Sequence, residues 1–223
     1  MRHLIILFAL SWTLSLSAQD SPCLQQVPFG DVSICLPKVP GMTECYADPF
    51  IKAIADATEA PTNEVLGYYL DSMEYVNFDT LNPQGLKNYF KVYGVTQVSR
   101  MPTGTEELDM LYGIMVQQLG DTTNFWRNIG NDVNARLGEG LEVGVPKMIE
   151  RYQLTDDSFT MVALMEIQEP DTTTTIVLSI SGILLSERFV CMAYYNPYVD
   201  PGSVALLKER SDGVVRRLLG AGE

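Results

Sequence analysis

Histidine is all but missing from this sequence. Its 223 residues include one, His3, and it lies in a segment expected to be cut away. A mature chain without histidine has no Ser-His-Asp or Cys-His nucleophile system and no His-containing zinc site. Other chemical signatures are missing too. There is no Cys-x-x-Cys redox pair, Gly-x-Ser-x-Gly, P-loop or Gly-x-Gly-x-x-Gly. No cofactor and no metal are expected. The wide spacings of Cys23, Cys35, Cys45 and Cys191 argue against cysteine-only zinc. Asp132-x-Asn134 resembles the start of a calcium loop, but Leu137 stands where that loop needs glycine. The pair reads as exposed helix positions.

Positive charge is scarce. Fifteen Lys and Arg face 28 Asp and Glu, for a net charge of −13. No basic stripe gathers the cations, so nucleic acid and anionic membrane surfaces are excluded as partners. Long apolar runs are lacking after the first 16 residues, and a membrane span needs about 20. The start itself has a basic Met1-Arg2-His3, an apolar run from Leu4 to Leu16 and a small-residue exit, Ser15-Leu16-Ser17-Ala18. That order is a cleavable signal peptide, residues 1–18. The expected mature protein is 19–223, a single domain, secreted or periplasmic. Its loss of Arg2 makes the mature charge one unit more negative, −14.

In an oxidising compartment the four cysteines are disulfide candidates. Cys35 and Cys45 are equidistant from Pro40, the centre of an expected hairpin, which suits a pair across it. Cys23 would then join Cys191. A free, buried Cys191 is the alternative, and four cysteines allow three pairings.

The densest β pattern lies between Ser158 and Tyr195. Three apolar runs alternate at period two, separated by Glu169-Pro170-Asp171 and Ser186-Glu187-Arg188. Connections this short and polar make an antiparallel meander, and strands apolar on both faces need cover on both faces. Upstream, Gln19–Pro28 reads as an irregular tail. Asp31–Leu36 and Thr43–Ala47 read as strands around Pro40-Gly41. Asp48-Pro49 opens a helix. Glu64–Asp71 and Leu86–Val98 read as strands around a turn at Asn82–Gly85. Thr103-x-x-Glu106 is a capping box before a helical stripe, and Asp121 opens a second helix. Val143–Leu154 is expected to be extended. Asp200-Pro201 starts a last helix with its stripe on Val204, Leu207, Ser211, Val214 and Leu218. Tyr194, Tyr195 and Tyr198 gather at a strand end and offer a candidate binding surface, although tyrosines there more often rim a core.

This order of elements, with phrases such as Val65-Leu66-Gly67-Tyr68-Tyr69-Leu70, resembles the PsbP/Mog1-like fold of uncharacterised exported bacterial proteins. The resemblance implies an α+β fold, an antiparallel β-sheet flanked by helices on both faces. It also implies a binding or assembly role rather than catalysis. The expected function is therefore a non-enzymatic binding or accessory protein of the cell envelope, whose partner would be another envelope protein. The alternatives are a histidine-free hydrolase working through carboxylates and a structural or assembly component of the envelope.

Overall fold

The computed structural model describes residues 23–78, 86–120, 142–169 and 172–221. The expected leader, the turn at 82–85 and the helix from Asp121, with Asp132 and Asn134, lie outside the described residues. The chain begins with β1 (Cys23–Phe29) and β2 (Val32–Pro37), followed by β3 (Met42–Glu44) and α1 (Pro49–Ala57). Next come β4 (Asn63–Asp71), the short α2 (Ser72–Val76), β5 (Tyr89–Val95) and α3 (Thr105–Gly120). Then β6 (Glu142–Val143), β7 (Lys147–Thr155), β8 (Ser158–Glu169), β9 (Thr172–Leu185) and β10 (Arg188–Pro197) lead to α4 (Pro201–Ala221).

β3 to β10 form one sheet in the order β3-β4-β5-β10-β9-β8-β6, with β7 also on β8. Every pairing in it is antiparallel. The meander β8-β9-β10 lies inside this sheet, where its apolar alternation placed it. One face carries α4 and the β1–β2 hairpin, packed on Phe90, Val92, Val190 and Met192. The opposite face carries two helices. α1 covers Val65, Tyr68 and Leu70, and α3 covers Phe159, Met161 and Phe189. A register shift between Val65 and Gly67 lets Val65 and Tyr68 share the α1 face while Leu66 and Tyr69 serve the other. The structure is thus the α+β sheet with helices on both faces that the sequence indicates.

Local chemistry explains the element ends. Asp48 Oδ1 accepts from the Phe50 and Ile51 amides and starts α1. At α3 the box sits one residue later than Thr103-x-x-Glu106. Glu107 reaches back to the Gly104 amide at 2.8 Å, so Gly104 occupies the cap. α4 buries Leu207, Val214 and Leu218 as its stripe requires. The polar centre of that stripe is accounted for: Ser179 donates to Ser211 at 2.8 Å, with both side chains buried.

Three expectations for the N-terminal quarter are overturned. Residues 23–28 are strand rather than irregular tail, because Cys23, Gln25, Val27 and Phe29 alternate inward and Gly30, in the left-handed region at φ 64°, turns the chain. The hairpin is therefore β1–β2. It does not fold about Pro40, since β2 pairs with β1 while β3 pairs with β4. Consequently the disulfide joins Cys23 to Cys35, with Cα atoms 5.4 Å apart. Cys45 and Cys191 are buried thiols in separate apolar clusters, so neither the Cys35–Cys45 nor the Cys23–Cys191 pairing forms. Arg188 clips the hairpin turn to the sheet, donating to Asp31 at 2.7 Å. That hydrogen bond holds the Asp31 carboxyl below its usual range.

Candidate functional site

Successive residues on a strand point to opposite faces. Tyr194 and Tyr195 are therefore parted by the sheet. Tyr195 faces the α1 side and stacks on Tyr89 with ring centroids 4.7 Å apart; Tyr89 in turn stacks on Tyr68 at 5.5 Å. Tyr194 faces the α4 side and stacks on Phe90 at 5.3 Å; Phe90 stacks on Tyr69 at 4.3 Å. The three aromatic pairs Tyr68-Tyr69, Tyr89-Phe90 and Tyr194-Tyr195 thus build two ladders across β4, β5 and β10, one per face. Tyr198 lies beyond the strand, half-buried, its amide donating to the Thr175 carbonyl. The proposed tyrosine surface does not converge. Of the three, Tyr194 lines a cavity.

That cavity is a cleft of about 410 Å³ between the turn at Pro40-Gly41, the ends of β4 and β10, and α4. Its rim is fixed by local bonds. The Met42 amide donates to the Val39 carbonyl at 3.1 Å, closing a turn with Pro40 second and Gly41 third. Gly41 has φ 76°, the left-handed value that this turn asks of glycine. Asp71 caps α2, its Oδ1 accepting from the Met73 and Glu74 amides. Its Oδ2 accepts from Asn88 at 3.3 Å, and the Asn88 Oδ1 accepts from the Tyr194 hydroxyl at 3.0 Å. Glu74 ties the same loop down by accepting from the Lys87 and Asn88 amides. Burial raises the Tyr194 phenol above its ordinary pKa, while Arg210 beside it acts the other way.

The helical wall consists of Glu209, Arg210, Gly213, Val214 and Arg217. Residues 210, 213, 214 and 217 share one side of a helix at spacings of three and four. Gly213 meets nothing within 4 Å of where a Cβ would sit, so it opens this wall. Neither Arg210 nor Arg217 is ion-paired among the described residues; the cations that are paired are Lys52, Lys91, Arg188 and Lys208.

On the other face a wider groove of about 800 Å³ runs along α1. Tyr46, Lys52 and Asp56 line it and hydrogen-bond one another, exposed to solvent. At its inner end Glu59 pairs with Lys91 at 2.5 Å, both side chains less than a tenth exposed. Lys91 also lies 5.5 Å from the Tyr93 ring centroid. Along β5 Lys91 alternates with Phe90 and Val92, which face the other side of the sheet. The signal was there: a lysine on the same face as Tyr89 and Tyr93 needs a buried counter-charge.

The free thiols are poor nucleophiles. Burial pushes Cys45 and Cys191 each up to about 12, and Glu44 adds to the effect at Cys45. Among the described residues no three His, Cys, Asp or Glu side chains stand together to hold a metal. No helix among them is long and apolar enough to cross a membrane.

No family model matches the chain, and no curated sequence is significantly similar to it. Among solved structures it is similar to the Ran-binding protein Mog1p of Saccharomyces cerevisiae. That match has 14% identity and a TM-score of 0.34, covering 85% of this chain and 86% of that one. A mutant of protein Mog1 matches at 13% identity and a TM-score of 0.37, over 89% of this chain and 92% of that one. Both matches name Mog1, as the order of elements does. Superposition this loose concerns the arrangement of sheet and helices, and carries nothing about partners or chemistry.

Proposed function

We propose that this chain is an exported, non-enzymatic binding or accessory protein of the cell envelope, and that the α4 cleft is where it binds. The apolar start with its small-residue exit supports export, and the Cys23–Cys35 disulfide fits an oxidising compartment. The observation that carries the binding reading is the cleft itself. Its size suits a small molecule or a side chain of a partner, and its polar floor of Asp71, Asn88 and Tyr194 is locked by hydrogen bonds. Preorganised polar groups beside an open cavity favour recognition. The aromatic ladder beneath Tyr194 holds that floor rigid.

The test uses Gly213→Trp, which fills the cleft from a helix position with open space around it. Wild type and variant are used as bait on the envelope fraction, with bound molecules identified by mass spectrometry. The expected result is a species held by wild type and lost by the variant. Equal capture by both, or none by wild type, overturns the reading.

A further inference from the structure

We infer that the α4 cleft takes a small anion, seating a carboxylate or phosphate group against the guanidiniums of Arg210 and Arg217. The inference rests on the binding reading above and names the ligand class.

Most polar groups of the cleft floor are already engaged within the protein. Both Asp71 oxygens accept hydrogen bonds within the protein. Asn88 donates to Asp71 and accepts from Tyr194, so its carboxamide is also occupied. What remains on the walls is chiefly donors: Arg210 lies beside the Tyr194 hydroxyl, and neither it nor Arg217 has a carboxylate partner among the described residues. A guanidinium presents paired donors that match two oxygens of one carboxylate or phosphate. Arg210 and Arg217 are two helical turns apart, about 10 Å along the axis, with Gly213 leaving the wall between them bare. A small ligand in about 410 Å³ can reach both long side chains.

The surroundings make this local pairing informative. The chain carries a net charge of −13, so no general positive field draws anions to its surface. An anion that binds must be held by specific donors. Glu209, exposed on the same wall, opposes it. That gives the inference a second, opposite-signed test.

The experiment is isothermal titration of the full mature protein with succinate and, separately, inorganic phosphate. The expected result is saturable binding of at least one probe, the two arms telling carboxylate from phosphate. Arg217→Ala, at an exposed position that threatens no packing, should weaken it at least tenfold, and Arg210→Lys several-fold. Glu209→Gln should tighten it, and Arg216→Ala, outside the cleft lining, should leave it unchanged. No saturable binding of either probe, or equal losses in Arg216→Ala and Arg217→Ala, overturns the inference. If the anions fail while Gly213→Trp still abolishes envelope capture, the ligand class is wrong and the binding reading stands. If both fail, both fall.

Discussion

Replacing Lys91 by methionine tests how the sheet tolerates a charge. Lys91 sits in the middle of β5, opposite Tyr68 on one neighbouring strand and Ala193 on the other. Its ammonium meets Glu59, whose other oxygen accepts from the Ala60 amide and the Asn63 carboxamide. Methionine keeps the stem's length and removes the charge, leaving a carboxylate buried without its cation. Breaking a buried pair from one side costs about 3–5 kcal/mol. Glu59→Gln, which strands the lysine instead, should cost a similar amount. The double variant Lys91→Met/Glu59→Leu removes both charges and should return close to wild type or exceed it, because desolvating two ions offsets most of their attraction. Against a whole-domain stability of about 5–15 kcal/mol, the single losses are large. Urea unfolding reads all four proteins, with the midpoint moving and the slope constant. Single costs under about 1 kcal/mol that simply add in the double variant would refute the reasoning, since the pair would then behave as a solvated surface contact.

Other perturbations probe different parts of the fold. Cys23→Ala/Cys35→Ala opens a loop of 12 residues and should cost about 3 kcal/mol by denaturant unfolding, with non-reducing mass spectrometry of wild type showing two free thiols. Ser186 and Glu187 hold φ of 51° and 58°, a two-residue turn better served by Asn-Gly, so Ser186→Asn/Glu187→Gly should raise stability by about 1 kcal/mol. Ser211→Ala leaves the buried Ser179 hydroxyl without its acceptor and should cost about 1–3 kcal/mol, while Ser179→Ala/Ser211→Ala should cost less than that single change. The buried thiols rise from 9.0 to about 12, so the folded chain holds protons that the unfolded chain releases first. Their contribution is complete below about pH 9 and is lost as pH climbs towards 12, with Tyr68, Tyr89 and Tyr195 acting in the same direction. The urea midpoint should therefore fall between pH 8 and pH 10.5, and native thiols should resist Ellman's reagent at pH 8.

The sheet was readable because burial writes itself into the chain at period two. β8, β9 and β10 alternate over ten residues or more each, and the polar turns between them leave one register. α4 was readable from its cap and stripe. β1 was missed because Gln25 takes an inward place and Pro28 an outward one, which blurs the alternation; Gly30-Asp31, a two-residue turn, was the usable clue. The cysteine pairing followed that error, since moving the hairpin from Pro40 to Gly30 changes which sulfurs meet. The cleft was illegible for another reason. Its residues come from the Pro40 turn, Asp71, Asn88, Tyr194 and α4, and no local pattern links these segments. Tyr194 was singled out for its neighbours in sequence, yet its role depends on pointing away from them.

If the α4 cleft is a preformed anion site, its lining residues respond to an added anion. Amide NMR of the labelled mature protein, titrated with succinate, examines it residue by residue. Saturating shifts should be largest at Gly41, Gly213 and the Asn88 carboxamide, with Gly113 on α3 still. Shifts confined to the α1 groove, at Asn63 and Thr96, or no shifts at millimolar succinate, would contradict it.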